Sequence, residues 1–102
     1  MSPKGYLIAE AKVHDAAAFA LYVRQAQAAV ERYGGRFIVQ GGRTEVLEGH
    51  WSPPQRMVII EFDSLEQTKV FYRSAEYQAA CALRKNAADM NMLVISGIDN
   101  LV

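Results

Sequence analysis

The sequence predicts an α+β fold in which a four-stranded antiparallel sheet carries its helices on one face, and three observations support this. Four short apolar runs have the length and β-branched content of strands. A stretch of helical periodicity lies between the first and second runs, and another between the third and fourth. No repeat, low-complexity tract or linker breaks the order, so the 102 residues (1–102) are expected to form one domain.

Gly5 to Val13 is the first strand, with Leu7, Ala9, Ala11 and Val13 on one face and Tyr6, Ile8, Glu10 and Lys12 on the other. Asp15 is placed to cap a helix with its carboxylate. Phe19, Tyr22, Val23, Ala26, Val30 and Tyr33 then form one apolar helical stripe. Gly34 ends the helix, because glycine takes the left-handed conformation that helix ends favour. Gly35 to Gln40 is the second strand. Gly41-Gly42 interrupts it, and Arg43 to Leu47 are expected to continue it as a bent or bulged extension. Gly49 to Gln55 is a loop, because its two prolines cannot donate to a ladder.

Arg56 to Phe62 is the most continuous strand. Ser64 and Gln67 have the spacing of a capping box opening a helix from Leu65 to Tyr72. Ser74 is a fresh N-cap, so the helix is expected to kink there and restart, with Tyr77, Ala80 and Cys81 on one face. Asn91 to Ile98 is the last strand. The order β-α-β-β-α-β with right-handed crossovers is the ferredoxin-like plan, with the first and third strands central.

Composition narrows the function classes. Hydrophobic residues are 51% and charged residues 22% of the chain, an ordinary globular mix. Eleven basic and eleven acidic side chains cancel, so no field draws the chain to nucleic acid, and no such partner is expected. Cys81 is the only cysteine, which rules out an intramolecular disulfide; in its Ala-rich helix it is expected to be a small buried apolar residue rather than a reactive thiol. The start of the chain lacks the pattern of a secretory signal, and no run approaches a membrane span. A cytoplasmic protein without a membrane partner is expected.

If both helices pack on Leu7, Ala9, Ala11, Val58, Ile60 and Phe62, the opposite sheet face carries Tyr6, Ile8, Met57 and Ile59, with Glu10 and Glu61 among them. An open apolar face of that size needs a cover, and an identical copy related by two-fold symmetry is the simplest one. The expected partner is therefore the chain itself, a homodimer through the sheet faces.

The segments YGGRFIVQGG (Tyr33 to Gly42), EVLEGHW (Glu45 to Trp51), RMVIIEFDS (Arg56 to Ser64) and FYRSAEYQAA (Phe71 to Ala80) resemble the domain-of-unknown-function 1330 family. That resemblance implies the dimeric α/β-barrel superfamily, in which two ferredoxin-like protomers pair their sheets, and it implies no established activity. The chain departs from the family pattern at Gln40, where an arginine is common, and at Ala75, where a proline is common.

Candidate site residues are few. His14 and His50 have no partner at metal-ligand spacing, so each is expected to be solvated and no metal is expected. Antiparallel pairing of the central strands sets Glu10 near Met57 and Glu61 near Tyr6, too far apart for the two carboxylates to share a proton. Glu61, desolvated inside a dimer barrel, is the candidate acid/base group with a raised pKa; the ordinary alternative is a salt bridge to an arginine. Trp51, Phe71, Tyr72 and Tyr77 are aromatic residues of the kind that usually form core. Their polar tips, those of Trp51 and Tyr72 foremost, would line a pocket beside Arg36, Arg56 or Arg84 suited to a small acidic or planar ligand. Gly41-Gly42 lacks the spacing of a phosphate loop, and no cofactor is expected. Two functions follow: a homodimer that binds or converts a small metabolite in a pocket of each protomer, or a noncatalytic dimeric interaction or stress-accessory module.

Overall fold

The computed structural model describes residues 3–52 and 56–99. The order is β1 (Gly5–Val13), α1 (Ala16–Arg32), β2 (Arg36–Gln40), β3 (Arg56–Phe62), α2 (Leu65–Arg73), α3 (Ala75–Leu83) and β4 (Ala88–Ser96). The strands form one antiparallel sheet in the order β2-β3-β1-β4, so β1 and β3 are central.

Local chemistry sets the helix ends. The Asp15 carboxylate accepts from the Ala18 N–H at 3.1 Å, and Gly34 leaves α1 at φ 79°. Ser74 serves two helices. Its hydroxyl donates to the Phe71 carbonyl at 2.7 Å and accepts from the Tyr77 N–H at 3.1 Å, closing α2 and opening α3. Ser64 accepts from the Gln67 N–H at 3.1 Å. The reciprocal half of the expected capping box is replaced, because the Gln67 side chain donates to the Tyr33 carbonyl at 3.0 Å and so ties α2 to the end of α1.

The helices cover the face bearing Leu7, Ala9, Ala11, Ile60 and Phe62, and Phe19, Tyr22, Ala26, Val30, Phe71, Tyr77 and Ala80 complete the buried core. On the other face the register lays out rows across the sheet. One is polar: Arg36 opposite Glu61, Glu61 opposite Tyr6, then Ile95. The next is wholly apolar: Val39, Ile59, Ile8 and Leu93. The third holds Met57, Glu10 and Asn91. A register shift between Phe37 and Val39 adds a residue to β2.

Several expectations are corrected. Arg43 to Leu47 do not extend β2. Gly41 turns the chain at φ 72° and its N–H donates to the Met57 carbonyl at 2.7 Å. Continuing the register past Gln40 opposite Val58 would bring this stretch beside Pro53 and Pro54, which have no N–H to offer. Residues 41–52 are instead exposed throughout, an arm outside the sheet. The radius of gyration, 14.2 Å, exceeds the roughly 13 Å of a compact chain of this length, as a projecting arm requires. In the expected loop from Gly49 to Gln55, residues 49–52 carry no strand, and 53–55 lie outside the described residues. Strand β4 begins at Ala88 rather than Asn91 and ends at Ser96, because it pairs with the whole of β1, from Val13 opposite Ala88 to Gly5 opposite Ser96. His14 is exposed but partnered, its Nε2 lying 2.8 Å from Asp89 Oδ2. Cys81 is half-buried rather than buried, because it sits at the margin of the core beside Arg84. No helix among the described residues is long and apolar enough to cross a membrane.

Candidate functional site

Three small side chains meet where the sheet faces α1: Ala9 and Ala11 on β1 and Ala26 on α1, all buried. Nothing fills the space they leave, and a cavity of about 40 Å³ lies between sheet and helices, room for roughly two or three waters. Its walls are almost entirely apolar. The polar groups that reach it are Gln40, Arg56, Tyr22 and Tyr77.

Arg56 opens β3 opposite Ala11, which turns its side chain to the helix face. Its guanidinium carbon lies 5.7 Å from the centre of the Phe19 ring, a cation–π contact. Its Nε is buried and has no hydrogen-bond partner. A buried guanidinium N–H without an acceptor is costly, so the position is one at which an incoming anionic oxygen would be favoured. Gly41 makes room for it: a Cβ there would stand 3.1 Å from Arg56 Nη1, and the backbone is left-handed as well. Arg56, Phe19 and Val23 also line an open surface groove of about 410 Å³, so these three side chains separate the cavity from solvent.

The opposite wall is a phenol pair. The Tyr22 and Tyr77 hydroxyl oxygens are 2.8 Å apart, and Tyr77 also donates to Met92 Sδ at 3.7 Å. Burial pushes the pKa of both phenols up, with Tyr22 adding to the rise at Tyr77, so both stay neutral hydrogen-bond donors. Arg84 braces the pair from behind, its guanidinium carbon 5.3 Å from the Tyr22 ring centre and its Nη2 3.5 Å from Cys81 Sγ.

Of the residues singled out from the sequence, Arg56, Tyr77 and Phe71 line the cavity, and Arg84 and Tyr72 reach it through other side chains. Tyr72 sits on the outer side of α2, 42% exposed, with its ring 5.5 Å from that of Tyr77. Trp51 lies on the arm, 64% exposed, apart from the other aromatics; of the aromatic group only Phe71 and Tyr77 are core. Arg36 and Glu61 are on the opposite sheet face. There Arg36 Nε donates to Glu61 Oε1 at 2.9 Å and the Tyr6 hydroxyl to Oε2 at 3.0 Å. Arg36 first, then Tyr6, lower the Glu61 pKa, the reverse of the rise expected from desolvation. The separation of Glu10 from Glu61 is as expected, and Glu10 accepts from Asn91 Nδ2 at 3.0 Å. Phe19, Tyr22 and Gln40 were not among the candidates. The available signal was a run of small inward residues on a central strand facing a helix alanine. No group of acidic, histidine or cysteine side chains among the described residues could hold a metal.

Sheet and helices define an α+β fold of ferredoxin-like plan. The chain belongs to the family described as Domain of unknown function (DUF1330), whose model matches residues 4–98. None of the curated proteins matches it. Among solved structures it is similar to a protein of unknown function from Rhodopseudomonas palustris, with TM-score 0.76 and 20% identity over 97% of this chain and 85% of that one. It is also similar to SnoaB, a cofactor-independent oxygenase from Streptomyces nogalater, with TM-score 0.68 and 11% identity over 98% of each chain. A dimeric ferredoxin-like protein of unknown function from Thermobifida fusca matches with TM-score 0.55 and 14% identity over 94% of this chain and 92% of that one. At these identities the likeness is one of fold.

Proposed function

We propose that this protein is a homodimer that binds, in the sheet–helix cavity of each protomer, a small planar molecule carrying one acidic group. The observation that carries the reading is the unpartnered, buried Nε of Arg56 at the mouth of an apolar cavity. The apolar walls suit a planar ring, the guanidinium suits a carboxylate or phenolate, and the neutral phenols of Tyr22 and Tyr77 suit a second oxygen. The cavity is far below the roughly 300 Å³ of ligand pockets. A swing of the Phe19 ring would join it to the adjoining groove, since both share that wall.

The homodimer is supported by surface area. A folded chain of 11.3 kDa exposes about 5,700 Å², whereas this protomer exposes 6907 Å². The excess, roughly 1,200 Å², is shared between the exposed arm and the open sheet face with its exposed Leu93 and Ile95. The apolar row of the outer face would supply the contact. In that arrangement Glu61, Arg36 and Trp51 border the barrel interior, and an ionised Glu61 would serve there as a base rather than an acid. The second reading, a noncatalytic dimeric module, is favoured by the small size of the cavity.

Thermal unfolding with aromatic carboxylates, each against its neutral amide, separates the two. At ten times Kd a specific carboxylate adds about 1.4 kcal/mol, a rise in Tm of about 7 °C. Equal shifts from acid and amide, or none across the set, would favour the module.

A further inference from the structure

We propose that the arm, residues 43–52, docks in the groove between β4 and α2 of a second copy of this chain, an inference that rests on the homodimer reading. The arm holds no strand, and its Val46, Leu47 and Trp51 are exposed, Leu47 at 96%. Together with Met57 of the outer sheet face it borders an open concavity of about 470 Å³, so it continues the face assigned to the partner.

The receiving groove, about 240 Å³, lies along the free edge of β4, where Tyr72 and Leu93 meet Lys69 and Arg73. Leu93 and Ile95, both on β4, are 57% and 51% exposed. The two surfaces are complementary in charge and in apolar content. Glu45-Val46-Leu47-Glu48 presents carboxylates flanking an apolar pair, and the groove presents cations flanking an aromatic and an aliphatic side chain. Neither Glu48 nor Arg73 makes an ion pair among the described residues.

Symmetry supplies the occupant. In the strand order β2-β3-β1-β4 the arm leaves beside one edge of the sheet and the groove lies at the other. When two sheets meet face to face about a two-fold axis parallel to the strands, β2 of one copy lies over β4 of the other. Stacked sheets are about 10 Å apart, and a chain that runs out and back over these residues reaches roughly 15 Å. On that face the Glu61 charge is already paired with Arg36 and bonded by Tyr6, and Glu10 accepts a hydrogen bond from Asn91.

The test measures the dimer dissociation constant by sedimentation equilibrium, with far-ultraviolet circular dichroism to show that each variant folds. Each contact occurs twice per dimer. Glu48→Lys and Arg73→Glu, at about fivefold per contact, should each weaken the dimer by roughly twentyfold. The double variant should return to within about twofold of the parent. In a Cys81→Ala background, Leu47→Cys with Leu93→Cys should form a dimer linked by disulfides between position 47 of one copy and position 93 of the other under mild oxidation. A parent chain that stays monomeric at micromolar concentration overturns the homodimer reading, and the docking with it. A parent dimer that both charge reversals leave intact, and in which the thiol introduced at position 47 links only to its own counterpart, overturns the docking alone.

Discussion

Replacing Arg56 with methionine should stabilise the protein while abolishing the proposed preference for acidic ligands. The Arg56 Nε is buried without an acceptor, which costs about 1–3 kcal/mol of desolvation. The guanidinium recovers part of this over the Phe19 ring, about 0.5–1 kcal/mol for a cation–π contact. Methionine retains most of the aliphatic stem, adapts its shape to the cavity mouth and makes its own sulfur–aromatic contact. The net expectation for Arg56→Met is a gain of about 1 kcal/mol, or about 5 °C in Tm. Urea unfolding read by circular dichroism measures it, provided the slope is unchanged between variants. In the same variant, the carboxylate-over-amide difference in thermal shift should vanish. A loss of about 1 kcal/mol or more would mean that Arg56 is a structural cation. An unchanged carboxylate preference would mean that the acidic group binds elsewhere. A site that carries an unpaired group at the expense of stability is the usual mark of a functional position.

Two further outcomes follow from the same geometry. Glu61 is depressed below the ordinary carboxylate range by Arg36 and Tyr6, so its contribution to stability is complete above the unfolded pKa, near about 4.3, and is lost as pH falls through the lower folded value. Between about pH 5 and pH 3 the urea midpoint of the parent should therefore fall further than that of Glu61→Gln, and parallel curves would show that the pair contributes nothing. For the buried phenols, whose oxygens lie 2.8 Å apart, Tyr22→Phe and Tyr77→Phe should each cost about 1–2 kcal/mol by stranding the other hydroxyl. The double variant should cost less than their sum by at least about 0.5 kcal/mol, and strict additivity in the denaturation cycle would show that the two hydroxyls do not interact.

How far the sequence could be read depends on the range of the interaction concerned. Asp15, Ser64 and Ser74 cap helices through N–H groups three residues away, so the helix starts and the break at Ser74 were legible from local chemistry. Period two placed Leu7, Ala9 and Ala11 inward and set Glu61 opposite Tyr6. The same parity turns Arg56 inward with Val58 and Ile60, although a charged first residue of a strand does not by itself announce burial. Gln67 looked like half of a capping box, and a carbonyl on a distant helix claimed it. Arg43 to Leu47 looked like strand because propensity is local, while pairing needs a neighbour whose N–H groups are free.

The sequence by itself determined the order of strands and helices, the face each turns inward and the apolar residues on the outer sheet face, because periodicity and capping act within a few residues. Only the tertiary structure decided that Ala9, Ala11 and Ala26 leave a cavity, that Arg56 reaches it without an acceptor, and that Arg36 holds Glu61 in its ionised form. A void is what distant side chains fail to fill, and a pKa is set by whichever charges the fold brings near. Both depend on which residues meet in space.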